Sequence, residues 1–376
     1  MSAPAAVPSA PAVETGAARR RRPAYERMPL MALGLVGLLC GLVGGLALLG
    51  LGVPTRPAFA AQHGALMALG FLGTLISLER AVALGHRWGY AAPALAGAGG
   101  VALAAGLPPA VGRLLLAVAA AWLVAIYVSL WQVQPAAHLL VQALGALAWW
   151  GAALRWLGGA ALPEVVTWLA AFLVLTIAGE RLELARVAFL DDRVRRVLLA
   201  VVATVCAGLG VGLLRPDLGA RVVGVGLLAL AAWLARHDVA RHTVRATGVT
   251  RFMAVCLLAG YVWLGVAGTL WAAFGAVTDG GRYDATLHAV FLGFVMSMVM
   301  GHAPVIVPAV LRVRLPHHPV GYLPVAVLHA SVALRLAGGD ALGVHVLRQA
   351  GGVGNVAALL LFVIVSAVAV GRGGKP

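Results

Sequence analysis

Charge is what this chain of 376 residues has least of. Asp, Glu, Lys and Arg make up 11% of it, less than half of the roughly 25% carried by a water-soluble domain. Too few polar atoms remain to cover a soluble globule, and the same shortage excludes a disordered chain. Lysine is almost missing: Lys375 stands alone among 28 basic residues. Cysteine is scarce, and Cys40, Cys206 and Cys256 lie in separate apolar segments. That excludes a disulfide framework, a C-x-x-C redox pair and a C-x-x-C-H haem c site, and reads as three packed thiols. Glycine shows no fixed period, so collagen is excluded too.

What the sequence has is apolar length. It is 62% hydrophobic with a mean hydropathy of +0.96, and a helix needs about 20 apolar residues to cross some 30 Å of hydrocarbon. Spans are predicted near 30–52, 61–84, 90–106, 111–131, 137–157, 163–186, 197–214, 220–235, 252–275, 284–308, 319–336 and 346–370. Gly and Pro punctuate the joins, as at Leu107-Pro108-Pro109. The expected fold is all-α: a polytopic membrane protein of about twelve transmembrane helices, with the lipid bilayer as its partner. Residues 1–28 read as a disordered basic tail, 29–371 as one transmembrane domain and 372–376 as a second tail. Trp149, Trp150, Trp156, Trp168 and Trp271 are expected in an interfacial belt.

Taken alone, the formal charge of +15 would point to nucleic acid, but its distribution points elsewhere. With an inside amino terminus, 17 basic residues fall on the inner side and eight on the outer. Arg19 to Arg22 and Arg27 lead the inner set, which also holds Arg193, Arg195 and Arg196. The positive-inside rule then sets both termini in the cytoplasm, in a bacterial inner membrane, and no nucleic-acid partner is implied. The leading tail reads as retained and not as a signal peptide.

The second, sixth and tenth spans look related. The second runs from His63 through Thr74 to Glu79-Arg80, the sixth carries Thr176 before Glu180-Arg181, and the tenth runs from His288 through Ser297 to His302. Each has a small hydroxyl residue four or five positions before a polar group, which predicts three pseudo-repeated units of four helices.

Ionisable groups within spans are costly, and so are functional candidates. His63 and His288 sit at the outer ends of spans two and ten, at matched depth. Two neutral imidazoles facing each other fill both axial positions of a low-spin haem; either one alone reads as an interfacial His. His302 follows His288 by fourteen residues, which in a uniform α-helix puts both on nearly one face, about 21 Å apart. Pro304 and Pro308 predict a kink that turns His302 to a cavity, where it and His329 would share a metal or proton site. Two satisfied buried histidines read equally well. Glu79, Arg80, Glu180 and Arg181 form a charge network, best satisfied if Glu79 pairs with Arg181 and Glu180 with Arg80. It locks the bundle or lines a proton or substrate path. Glu183 and Arg186 add a pair at spacing three. His86, His138, His237, His242, His317 and His318 read as headgroup-facing, with His345 as their outer counterpart.

The stretches His63–Arg80 and Leu287–Pro304, with the span count, resemble subunit I of the haem–copper oxidases. In length and texture the chain is similar to the NnrS family, haem- and copper-containing membrane proteins linked to nitric oxide. The resemblance implies that His63 and His288 are axial ligands of a haem b, with copper possible but unassigned. Where the oxidases place a second His two residues before the tenth-span ligand, this chain has Thr286. Its sixth span has Thr167-Trp168 and no His, so a complete haem–copper dinuclear centre is not expected. The function implied is redox or nitric oxide-related, with a diatomic gas or a redox partner. The alternatives are a secondary transporter of a small solute, for which both termini inside and the charge pairs also fit, and a membrane scaffold without chemistry of its own.

Overall fold

A computed structural model describes residues 24–185 and 191–373 of the chain. Among the described residues every regular element is a helix. Twelve segments carry the architecture: α1 (Met28–Leu48), α2 (His63–Leu84), α3 (Ala91–Ala104), α4 (Pro109–Val133), α5 (Ala137–Leu157), α6 (Leu162–Ala185), α7 (Asp192–Gly212), α8 (Pro216–His237), α9 (Gly248–Phe274), α10 (Gly280–Leu311), α11 (Pro319–Ala341) and α12 (His345–Gly373). Among the described residues eleven helices are long and apolar enough to cross a bilayer, so the chain is a polytopic membrane protein. Helices are the form such a chain must take, because lipid offers no partner for an open backbone amide.

The exception among the twelve expected spans is α3, with only 14 α-helical residues. It is preceded by a 3-10 turn, Arg87–Tyr90, and this turn completes its length. The ring of Tyr90 lies under the Arg27 guanidinium, 5.9 Å from its carbon, at the start of α1. At the far end Gly106 approaches Ala58, beyond the end of α1. A short, Gly- and Ala-rich helix therefore runs the whole depth of α1. Small residues let it do so: a Cβ on Gly100 would lie 2.9 Å from the Cα of Gly70 on α2, and one on Gly37 would lie 2.9 Å from the Gly70 carbonyl carbon. Such close backbone contact is how helices bind one another where no hydrophobic force acts between them.

Residues 24–28 extend the bundle at its amino-terminal side. Tyr25–Arg27 form a 3-10 turn, Arg27 is buried, and the Ala24 amide donates to Leu311 O at 2.9 Å. Residues 1–23, the rest of the expected tail, and Arg186, the expected partner of Glu183, lie outside the described residues.

Three helices contain π-helical stretches: Leu66–Gly73 in α2, Ala289–Met296 in α10 and Leu334–Ala341 in α11. The first two share a register. Each holds a Leu-Gly-Phe (Leu69-Gly70-Phe71 and Leu292-Gly293-Phe294), and each is followed at once by a hydroxyl residue, Thr74 or Ser297. α6, expected as their relative, is α-helical throughout its described length.

The tryptophans do not all form a belt. Trp150 is exposed, but Trp149 is fully buried and Trp156 and Trp271 nearly so. Trp149 stacks on Phe172 with ring centroids 4.8 Å apart. It slides beneath Gly73 of α2, whose missing Cβ would meet its ring at 3.0 Å. The sequence signal for an interfacial Trp and for a Trp in a helix–helix gap is the same, and here the small partner on α2 decides.

Candidate functional site

A cavity of about 510 Å³ opens between the amino-terminal ends of α2 and α10 and the facing ends of α1, α6, α11 and α12. His63 and His288 both line it, so the two histidines matched in depth by sequence share one chamber. Its walls are mostly apolar, with Leu42, Met67, Leu169, Phe291 and Leu359 among them. Arg335, Arg348 and Asp284 supply charge at its edge.

The hydrogen bonds fix both imidazoles. His63 Nδ1 lies 2.7 Å from Gly41 O, and His288 Nδ1 lies 2.7 Å from Asp284 O. A carbonyl oxygen only accepts, so each Nδ1 carries the proton and each Nε2 keeps its lone pair. Neither Nε2 makes a hydrogen bond among the described residues. Gly45 of α1 makes room for the first ring, since a Cβ there would meet His63 Cε1 at 3.0 Å. π-helical turns begin three residues after His63 and one after His288. In the register shared by the two stretches His63 faces Thr286, not His288, so the pair is offset by two residues.

A charged rim holds the second histidine. Asp284 lies one helical turn before His288, with Oδ1 3.3 Å from His288 Nδ1. Its Oδ2 accepts from Arg335 Nε at 3.0 Å and Nη2 at 2.7 Å, and Arg348 Nε stands 3.4 Å away. Behind them Asp340, with a side chain only 1% exposed, is 3.5 Å from Arg348 Nε. Sequence reasoning missed this cluster. Arg335 and Arg348 are among the eight basic residues counted on the outer side, where charge sets topology, and Asp284 carries no signal beyond sitting four residues before His288.

The other two candidate histidines lie elsewhere and are fully engaged. His302, 6% exposed, donates from Nδ1 to Met298 O at 2.7 Å. Its Nε2 faces Arg181 Nη1 at 3.4 Å. The kink did not turn it to a cavity: Pro304 and Pro308 both lie inside the helical run to Leu311. His329 accepts from Trp263 Nε1 at 2.9 Å, so its Nε2 carries the proton toward Ser297 Oγ at 3.0 Å. With all four ring nitrogens occupied, these residues offer no lone pair for a shared metal. Among the described residues no group of three or more His, Cys, Asp or Glu is arranged to hold an ion.

The charge network is paired differently from expectation. Arg80 bonds its neighbour Glu79. Arg181 grips Asp238 with two hydrogen bonds, Nε to Oδ2 at 2.6 Å and Nη2 to Oδ1 at 2.7 Å. Tyr261 donates to the same carboxylate at 2.8 Å, and the Ala240 amide at 2.7 Å. Both side chains of the pair are at most 3% exposed. Burial alone would push the Asp238 carboxyl up; the Arg181 hydrogen bonds and charge, with the other two donors, hold it below the ordinary carboxylate range. Asp238 follows α8 directly, in a stretch read as a loop, so nothing in its sequence context marked it as the partner. Glu180 is left without an ion pair or hydrogen bond among the described residues. Near it Tyr127 Oη, Arg80 Nε and both amide atoms of Gln142 are buried without partners. His138, expected at a headgroup, is buried 3.9 Å from Glu183.

The chain's wider relationships say little about chemistry. The model of one family, described as a domain of unknown function (DUF8744), matches residues 27–371. No curated protein matches the chain.

Proposed function

The chain belongs to the DUF8744 family, whose description assigns no activity, and we propose from the site itself that it is a haem-binding membrane protein of redox metabolism. His63 and His288 would hold a haem b between α2 and α10. One observation carries this reading: two imidazoles line one apolar cavity, each with its Nδ1 proton spent on a backbone carbonyl and its Nε2 lone pair free. A second-shell acceptor at Nδ1 is the arrangement that orients a ligating His and raises its basicity.

The residues present fit the group. The walls are apolar enough for a porphyrin, and Arg335 and Arg348, both held by Asp284, line the cavity as cations that its carboxylates would meet. Bound there, a haem supplies one-electron transfer at a potential tuned by its axial ligands and burial. The protein's part is to hold both imidazoles in one tautomer, to exclude water and to balance the carboxylates. Held by both histidines, the group would serve electron relay to a redox partner, or would meet a diatomic gas such as nitric oxide. The NnrS-like and oxidase-like character, with α2, α6 and α10 as the second helices of three units of four, belongs to this proposal. The shared register of α2 and α10 supports it for two units. Copper has no assigned ligands, since no group of three or more His, Cys, Asp or Glu is arranged to hold an ion among the described residues. Cytoplasmic termini in a bacterial inner membrane belong to the proposal, with the arginine distribution supporting the orientation.

Reduced-minus-oxidised spectroscopy of the purified protein tests the reading. A Soret band is expected and is lost in His63→Ala and in His288→Ala. No band, or one unchanged in the double variant, ends it.

A solute carrier is the second reading, favoured by one observation: among the described residues Glu180 lies unpaired beside the unpartnered polar atoms of Tyr127, Arg80 and Gln142. Substrate-dependent proton uptake in proteoliposomes, lost on Glu180→Gln, would support it.

A further inference from the structure

At the opposite end of α2 and α10 from the histidine cavity lies a second pocket, of about 540 Å³. Its wall is made by the last turns of both helices, the Tyr25–Arg27 turn and the start of α3, with Arg27, Gly85, Tyr90 and Arg312 supplying the polar groups. No acidic side chain lines it.

Two arginines face it in different ways. Arg27 is 8% exposed, with Nη1 bonded to Val310 O at 2.7 Å. Its Nε is buried without a partner, and its Nη2 makes no hydrogen bond among the described residues. Arg312 is exposed and makes no ion pair or hydrogen bond through its side chain among the described residues. Its backbone is unusual. At φ 55° and ψ 39° it closes α10 in the left-handed conformation, and it is the one residue other than glycine with positive φ among those described. Glycine fills such helix ends without strain, as Gly85 does at the end of α2. An arginine kept in a glycine's conformation directs attention to what its side chain does.

The helix ends weigh against a bound anion, since each carboxyl terminus presents about half a negative charge. Two terminal dipoles oppose two full positive charges, and one of the dipoles is already capped by Arg27. The pocket stays positive. Its apolar wall, Val82 and Pro308, continues along α10 to Val305, which is 55% exposed.

We propose that this pocket binds a phosphate group, that of an anionic phospholipid whose acyl chain lies along the outer face of α10. Arg312 contacts the phosphate from the open side and Arg27 Nη2 from the buried side. The site is independent of the haem reading, for no residue of the histidine cavity takes part.

Native mass spectrometry of the full chain, with phosphatidylglycerol or phosphatidylcholine added, tests it. Phosphatidylglycerol is retained in preference to phosphatidylcholine, and Arg312→Gly lowers that retention about fivefold, the loss of one arginine near an anionic surface. The same variant removes the backbone strain, so its melting temperature does not fall, which separates a lost ligand from a damaged fold. Arg312→Lys keeps most of the retention. Stabilisation by inorganic phosphate that disappears in Arg312→Gly would uphold the phosphate site and assign it to a free anion. Equal retention of the two lipids, or equal retention by wild type and Arg312→Gly, with no phosphate effect, overturns the proposal.

Discussion

His288 and His302 ride on one helix and begin alike. Each donates its Nδ1 proton to the carbonyl four residues back, at 2.7 Å in both cases. They part at Nε2. In His288 that atom has no partner among the described residues and its ring lines a chamber of about 510 Å³; in His302 it meets a guanidinium that is itself locked to a carboxylate. A backbone bond to Nδ1 thus sets the tautomer of a membrane histidine but not its use. Whether a lone pair is left over decides between a ligand and a packing residue.

The comparison breaks most completely at the ligand end. His63→Ala and His288→Ala should each abolish haem absorbance, whereas His302→Ala and His329→Ala should leave the spectrum of the folded fraction unchanged. A spectrum lost equally in all four would erase the distinction. Arg181→Ala is the largest expected blow to stability: it strands the Asp238 carboxylate, a loss of about 3–5 kcal/mol for a broken buried pair, read as a thermal shift in detergent. By contrast Arg335→Ala should lower haem retention more than stability, because Asp284 keeps Arg348 nearby.

Acid gives a finer test. The folded-state pKa of Asp238 is depressed, so its contribution is complete above the unfolded carboxylate value, about 4. It is lost as pH falls through the lower folded value. The stability gap between wild type and Asp238→Asn should therefore stay flat from about pH 5 to 8 and shrink only below about 4; a gap that changes near neutrality would contradict the pairing. Smallest is Ser297→Ala, which leaves His329 Nε2 without its acceptor and costs about 1–3 kcal/mol, with no change in haem content.

Much of this was legible. The places of eleven of the twelve expected spans follow from apolar length, and counting residues to the ends of their spans was enough to bring His63 and His288 to one cavity. What failed had physical reasons. Span eleven was ended at 336, while α11 continues through a π-helical stretch to Ala341. That cut left Asp340 outside the span and Arg335 at its margin, where it was counted as loop charge. Asp238 was invisible because its partner, Arg181, lies 57 positions away and nothing local marks a long-range pair. The cross-pairing of Glu79 with Arg181 assumed that only the charges within spans compete; the carboxylate just beyond α8 won. Trp149 was misplaced because hydropathy cannot tell a headgroup from a gap beside a glycine.

The π-helical stretches of α2 and α10 have a consequence for how the two ends of each helix are linked. A π turn holds one residue more than an α turn, so each stretch acts as a phase offset between the histidine above it and the hydroxyl and charged residues below. Deleting one residue within Leu66–Gly73 would let that stretch close as α-helix with the phase kept. Closing it with all its residues retained would instead turn His63 by about 100° relative to Thr74 and Glu79. The ligand would face a neighbouring helix instead of the chamber, while the Glu79–Arg80 end kept its packing. Angular timing along the helix, as much as the identity of its residues, is what brings two imidazoles to one cavity.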